Sequence, residues 1–414
     1  MKTKEKIIIV GGGFAGLHLA RKLNNTNFEV LLIDKQNHHQ FQPLFYQVAT
    51  ARLEPASISF PFRKIFQRSP NIQIRLTEVK RVIPQENRIE TGIGSFDYDK
   101  LVIATGCKTN FFGNAHMSEF ALSMKNTEEA IHIRNKVLLN FERIISAPDN
   151  EKEAYENIVI VGAGPTGVEL AGAFAEMKNN ILPKDYPNID FSRMKILLVE
   201  GSNHTLNSMS EGARVASQRY LEELGVSLEL EVFVKDYDGT TVTFSNGETI
   251  RSKNVIWAAG VMGNVIDGLD EASVLKSRFI VDRQNKVKGY DTIYALGDVA
   301  YMETPLYPHG HPQLANVAIN QAKTLGWNLL HQDKKSLDYE YKDLGSMATI
   351  GKDKAVVDLP YIQFQGRFAW FVWMFLHLML ILSVRNKLII FINWAWSYVT
   401  KDSSLRLITH TEDK

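Results

Sequence analysis

The chain has 414 residues, with 47 Lys and Arg against 46 Asp and Glu, and one cysteine. A net charge of +1 builds no field for a polyanion, which argues against nucleic acid as a partner. One cysteine excludes an intrachain disulfide, a cysteine-only zinc or iron–sulfur site and a redox-active cysteine pair, and a mean hydropathy of −0.15 excludes a polytopic membrane protein.

Near the N-terminus, the apolar run Ile7–Val10 is too short for a signal-peptide core, so the bulk of the protein is expected in the cytoplasm. The run is β-branched and bounded by glycine, which predicts a buried parallel strand. Gly11-Gly-Gly13-Phe14-Ala15-Gly16 follows, then a helical pattern over Leu17–Leu23, then a second apolar run, Val30–Ile33, ending at Asp34. Leu101–Ile103 is another short strand, closed by Ala104-Thr105-Gly106. The first unit then recurs as Ile158–Val161, Gly162-Ala-Gly164-Pro165-Thr166-Gly167 and a helix over Val168–Met177. An inserted connection over 178–194 leads to Ile196–Val199 and Glu200. Val255–Trp257 before Ala258-Ala259-Gly260, and Ile293–Leu296 before Gly297-Asp298, complete the strands.

The last fifth of the chain changes character. Phe368–Val384 holds no Asp, Glu, Lys or Arg over 17 positions; Arg385-Asn-Lys387 interrupts, and the apolar run resumes over Leu388–Val399. The first run is shorter than the roughly 20 residues a helix needs to span hydrocarbon. Trp370, Trp373, Trp394 and Trp396 suit a membrane interface, and Arg367, Arg385, Lys387 and Lys401 can meet anionic headgroups. A monotopic anchor on the cytoplasmic face is expected. A buried core helix or dimer interface, and a spanning segment, are the alternatives.

Both glycine runs match the dinucleotide fingerprint in its required context, after a strand and opening a helix. The first glycine makes the tight turn, the second lets the backbone approach a pyrophosphate, and the third lets helix and strand pack closely. Asp34 lies 23 residues after Gly11, where a carboxylate can accept the ribose hydroxyl protons. Glu200 ends the corresponding strand of the second unit, and its charge would repel a 2′-phosphate, so NADH is expected over NADPH. His309 and His311 flank a glycine without a nearby acid or cysteine and read as a turn, and His38 and His39 invite the same caution against a metal pair; no metal site is expected. Cys107 reads as a small structural residue.

Two dinucleotide sites in one chain imply FAD and a nicotinamide nucleotide. Their order resembles the two-dinucleotide-binding flavoprotein superfamily, an α/β class with two Rossmann-like domains. The resemblance implies FAD on Gly11, Gly13, Phe14, Ala15, Gly16, Asp34, Lys35, Pro43, Ala104, Thr105, Gly106, Gly297 and Asp298, with Asp298 on the ribityl chain. It implies NADH on Gly162, Gly164, Pro165, Thr166, Gly167, Glu200, Ala259 and Gly260. Members that reduce disulfides or oxidise sulfide need more cysteines than this chain has.

The stretch His38-His39-Gln-Phe-Gln-Pro43-Leu-Phe-Tyr-Gln47-Val-Ala-Thr50 resembles the flavin-covering segment of type II NADH:quinone oxidoreductases. So do Gly164-Pro-Thr-Gly-Val-Glu169-Leu-Ala-Gly172 and the tail with Asn393-Trp-Ala-Trp-Ser-Tyr398. The resemblance covers nearly the whole chain. It implies a membrane-associated flavoenzyme that moves two electrons from NADH through FAD to menaquinone or ubiquinone without pumping protons. It divides the chain into an FAD domain (1–112 and 266–345), an NADH domain (113–265) and a C-terminal apolar helical membrane-anchoring region (346–414). A homodimer is left open.

Glu169 has two readings: compensation of the helix dipole in the first turn, or a proton-handling group beside the flavin, which the family resemblance favours. Family members carry an Ala-Gln-x-x-x-Gln-Gln element where this chain has Ala315-Asn316-Val-Ala-Ile-Asn320-Gln321. Each asparagine withdraws its amide by about 1.5 Å, one C–C bond. Pro43, Gln47, Asn316, Asn320 and Gln321 are the candidates for the flavin–quinone end. A soluble NADH-dependent flavin reductase with another acceptor, and a redox-sensing flavoprotein with a decayed acceptor site, are the competing readings.

Overall fold

The computed structural model describes residues 4–403 and 405–409. Six helices carry the functional argument: α1 (Phe14–Lys22), α2 (Phe45–Ala49), α3 (Pro165–Asn180), α4 (Ala315–Leu330), α5 (Arg367–Leu380) and α6 (Val384–Thr400). The chain forms two compact units.

The first unit comprises the chain up to Gln40, Phe60–Lys108 and Val261–Lys342. Its centre is a five-stranded sheet in the order Ile293–Ala295, Lys100–Ile103, Lys6–Val10, Glu29–Asp34, Ile72–Leu76. Every neighbouring pair is parallel, so the connections must cross over and cover the sheet. That is why Ile7, Ile8 and Ile9 are fully buried despite alternating sides. On one face α1 and α4 pack together, close enough that a Cβ on Gly326 would lie 2.7 Å from Lys22 Cγ. The opposite core gathers Ile8, Val10 and Ile103 with Val82, Ile89 and Phe279. Trimming one such isoleucine to alanine would cost about 2–5 kcal/mol.

The second unit comprises Phe41–Ser59, Thr109–Gly260 and the chain from Asp343. Its parallel sheet runs Ser227–Leu230, Ile196–Glu200, Ile158–Val161, Asn254–Trp257. The helix α3 is buried from Gly167 to Met177, because it packs on this sheet, on α2 and on strand Ser346–Ile350. Gly172 permits the last contact: a Cβ there would stand 2.6 Å from Gly351 N. The segment 178–194 is a short helix, Leu182–Asp185, and a 3-10 turn, Phe191–Arg193, which delays Glu200.

The tail departs from one part of the sequence reading. The first apolar run is broken at Ile381, and α5 and α6 hold 14 and 17 residues. Among the described residues no helix is long and apolar enough to cross a membrane. Of the four tryptophans assigned to an interface, Trp370, Trp373 and Trp394 are buried, and Trp396 is exposed. Helical spacing explains this: Trp370 and Trp373 share a stripe of α5, as Asn386, Ile390 and Trp394 share one of α6. The outward stripe is also apolar, with Phe368, Phe371, Phe375, Phe391, Ile392 and Trp396 exposed.

Candidate functional site

In the first unit the glycine turn is a steric necessity. Gly11 has φ +100°, and a Cβ on it would collide with the carbonyl oxygen of Ala104. A Cβ on Gly16 would collide with the carbonyl oxygen of Gly11. A Cβ on Gly13 would meet nothing within 4 Å, so the loop keeps open space where a pyrophosphate would approach. The helix α1 has no side-chain cap and no acid in its first turn. Asp34 clamps the loop: Oδ2 accepts from Gly12 N at 2.5 Å and Oδ1 from Gln36 N at 2.7 Å. Burial pushes its pKa up, and those two hydrogen bonds pull it down.

The turn at Gly297 and Asp298 seats against this loop. Gly297 has φ +71°, and a Cβ there would lie 3.1 Å from Ala318 Cβ and 3.5 Å from Ala15 Cβ. Gly297 N donates to Gln321 Oε1 at 2.7 Å, and Gln313 Nε2 to the Asp298 carbonyl at 3.0 Å. Gln321 is therefore already engaged in holding the turn. Asn316 Oδ1 is buried without a partner, whereas Asn320 Oδ1 accepts from Lys323 Nζ at 3.4 Å. Thr105 Oγ1 donates to the Asn264 carbonyl at 2.6 Å, and Lys35 pairs with Glu78. The open glycine loop, the clamped acid and the orphaned amide oxygen fit FAD. Sequence reasoning missed His39, whose Nδ1 lies 3.0 Å from the Gly12 carbonyl and whose ring meets Phe14 edge-on. Burial pushes it to about 4, so it props the loop as a neutral ring.

The second unit repeats the loop. Gly162 also has φ +100°, a Cβ on it would lie 2.6 Å from Ala259 Cα, and Gly164 has the same open space as Gly13. Glu200 Oε2 accepts from Ala163 N at 2.7 Å and Oε1 from Ser202 N at 2.9 Å. Gly162, Glu200, Ser202 and Ala259 border a cavity of about 650 Å³ whose lining holds no Lys or Arg. That lining, with a carboxylate to accept ribose hydroxyl protons and no cation for a 2′-phosphate, fits the adenosine half of NADH.

Glu169 stands apart from this loop. It is the fifth residue of α3, and the first turn holds no acid, so the dipole reading fails. Its carboxyl accepts from Thr349 N at 3.4 Å, and desolvation pushes its pKa to about 8. From Thr349 the contacts run on: Thr349 Oγ1 to Tyr46 OH at 2.9 Å, Gln47 Nε2 to the same hydroxyl at 2.9 Å, Trp394 Nε1 to Gln47 Oε1 at 2.6 Å. Pro43 begins the turn that delivers α2, which carries Tyr46 and Gln47. Two turns beyond Glu169, Glu176 pairs with Arg52 and accepts from Lys352 N at 2.5 Å. The structure thus joins Glu169 to Gln47. Asn316, Asn320 and Gln321 lie in the first unit. Tyr46, Thr349, Arg52 and Glu176 were missed; a seven-residue spacing of two glutamates on one helix was the available signal.

Residues 5–322 match the family of pyridine nucleotide-disulphide oxidoreductases, and residues 344–401 match the NDH2 C-terminal domain. The chain is 32% identical to the type II NADH:quinone oxidoreductase Ndh of Mycobacterium tuberculosis, over 96% of this chain and 89% of that protein. It is 27% identical to the external NADH-ubiquinone oxidoreductase 2 of Saccharomyces cerevisiae mitochondria, over 97% and 82%. The fold is similar to that of NDH2 from Plasmodium falciparum, solved in complex with NADH, with a TM-score of 0.90 at 22% identity over 99% and 100% of the two chains.

Proposed function

The chain belongs to the pyridine nucleotide-disulphide oxidoreductases, as a type II NADH:quinone oxidoreductase, and on that premise we propose how its own residues divide the reaction. Two electrons pass from NADH through FAD to a quinone, and no protons are pumped. One observation carries the assignment: the same glycine loop with an acid clamped to it occurs once in each unit. FAD, when bound, supplies the electron relay that no side chain can supply.

In the first unit, Asp34 holds the ribose hydroxyls and Asp298 the ribityl chain, while Gln321 fixes the turn that carries Asp298. Asn316 contributes its unpartnered oxygen as an acceptor. In the second, the Gly162–Gly167 loop takes the NADH pyrophosphate and Glu200 the adenosine ribose. The first unit is then the FAD domain, and Thr109–Gly260 of the second unit the NADH domain. Glu169 is a neutral acid at pH 7 and keeps a proton in store for the reduced quinone. Tyr46 and Thr349 connect it to Gln47, and Trp394 fixes Gln47.

Region 346–414 is the anchor. The outward apolar stripe of α5 and α6, bordered by Arg367, Arg385, Lys387 and Lys401, supports a protein lying on a membrane surface, which we place at the cytoplasmic face. A lipid-soluble acceptor needs such a surface. Anaerobic mixing tests the assignment: NADH should bleach the bound flavin, and a quinone added afterwards should restore its colour. A flavin that NADH reduces and quinone leaves reduced would overturn the acceptor roles given to Gln47 and Glu169.

A further inference from the structure

Phe112 and Phe233 rim the Glu200 cavity, and nothing above uses them. They are 68% and 64% exposed, which is costly for large apolar rings. Phe112 also has φ +52°, a left-handed conformation that a bulky residue seldom adopts. A local scaffold holds it there: Phe112 N donates to Asn110 Oδ1 at 2.9 Å, and Trp257 Nε1 donates to the Asn110 carbonyl at 2.8 Å. Its ring leans edge-on against Trp257 at 6.3 Å and covers Gly260, where a Cβ would come within 3.0 Å of it. Phe233 is set the same way. Its N donates to Ser245 Oγ at 3.0 Å, and its ring lies over Gly201, where a Cβ would collide with it. Gly201 directly follows Glu200. Strain and exposure kept at one rim are features of a ligand clamp rather than of a packed core.

We propose that Phe112 and Phe233 form an aromatic clamp for the adenine of NADH, each ring seated on a glycine of the nucleotide site. This rests on the placement of NADH in the Glu200 cavity. An adenine is flat, and its faces stack on aromatic rings without regard to sequence context. A ribose held at Glu200 leaves the base beside Gly201, under Phe233. The clamp grips the half of NADH that does not react. It therefore binds ground state and transition state alike and acts on KM rather than kcat.

The test compares NADH with reduced nicotinamide mononucleotide, which has the same reacting ring and no adenine, using the flavin-loaded enzyme and a soluble quinone. Phe112→Ala and Phe233→Ala should each raise the NADH KM about ten-fold, and the ratio of the two kcat/KM values should fall by the same factor. Phe233→Tyr keeps a ring and should keep the ratio. An equal loss with both nucleotides would overturn the clamp, because it would mark a structural role. Alanine variants with an unchanged ratio would also overturn it. Glu200→Gln separates the two levels. If it lowers the ratio and the alanine variants do not, NADH sits in the cavity without a clamp. If neither does, the cavity is not the NADH site and the clamp falls with it.

Discussion

Glu169→Gln removes a titratable group from the second turn of α3 and should gain stability relative to the wild type as the pH rises. Below pH 4.5 folded and unfolded chains both hold the proton, and the residue contributes no slope. Between there and about 8 the folded state keeps the proton that the unfolded chain has lost, so each pH unit removes about 1.4 kcal/mol of stability. Above that window both states are ionised, the slope vanishes, and the accumulated penalty is about 5 kcal/mol. From pH 5 to pH 8 the wild type should lose about 4 kcal/mol that the glutamine variant does not. At about 2 cal/mol/K of unfolding entropy per residue, a chain of 414 residues moves about 1 °C per kcal/mol. The variant's Tm, followed by tryptophan fluorescence, should therefore gain about 4 °C on the wild type across that interval. Flavin-linked pH effects cancel in the difference. Melting temperatures that keep a constant separation from pH 5 to pH 8 would refute the claim that Glu169 is held protonated by burial.

Asp34→Ala should weaken FAD retention roughly 10–100-fold, seen as flavin lost on gel filtration, because the carboxylate clamps Gly12 and, in the proposed site, would accept the ribose hydroxyls. Glu200→Gln should shrink the preference for NADH over NADPH about ten-fold; equal wild-type kcat/KM for the two nucleotides would remove the residue as discriminator. Asn316→Ala should weaken FAD retention by more than Asn320→Ala does, because of the two only Asn316 offers an unpartnered buried oxygen; equal flavin loss on gel filtration would remove that role. Phe371→Asp with Phe375→Asp and Ile392→Asp should abolish flotation with anionic liposomes and leave the flavin bound, and wild-type flotation should weaken with salt. Deleting the chain after Gly366 is expected to unfold the second unit instead, since Trp373 and Trp394 belong to its core.

The parts of the fold that could be read in advance were those in which one residue type answers one local demand. Gly11 and Gly162 needed φ near +100°, Asp34 and Glu200 needed strand ends beside a loop, and the β-branched runs needed two-sided burial. The Glu169 cluster was only half legible. Gln47 and Glu169 were singled out, but Thr349, which joins them, is an unremarkable residue of a strand 180 positions from Glu169. No spacing rule reaches that far. The tail was misread in one respect because tryptophan suits a wet interface and a hydrogen-bonded core equally well. The Gln47 side chain, which receives the Trp394 indole, decides between them.

That same contact bears on how the protein is made. Trp394 follows Gln47 by 347 residues, and Asn386 reaches back to the carbonyls of Ala56 and Ser57. At about 5–20 residues per second, a ribosome delivers α6 roughly 20–70 s after α2. Through that interval Tyr46 and Gln47 lack Trp373 and Trp394, which border the same small pocket in the folded chain. The first unit meets a similar delay, because α4 closes over α1 only near residue 330. Neither half can complete before most of the chain has been synthesised, so the nascent protein should depend on a chaperone or a lipid surface for that period. Slowing translation just before α5 should lengthen the exposure and raise the aggregated fraction.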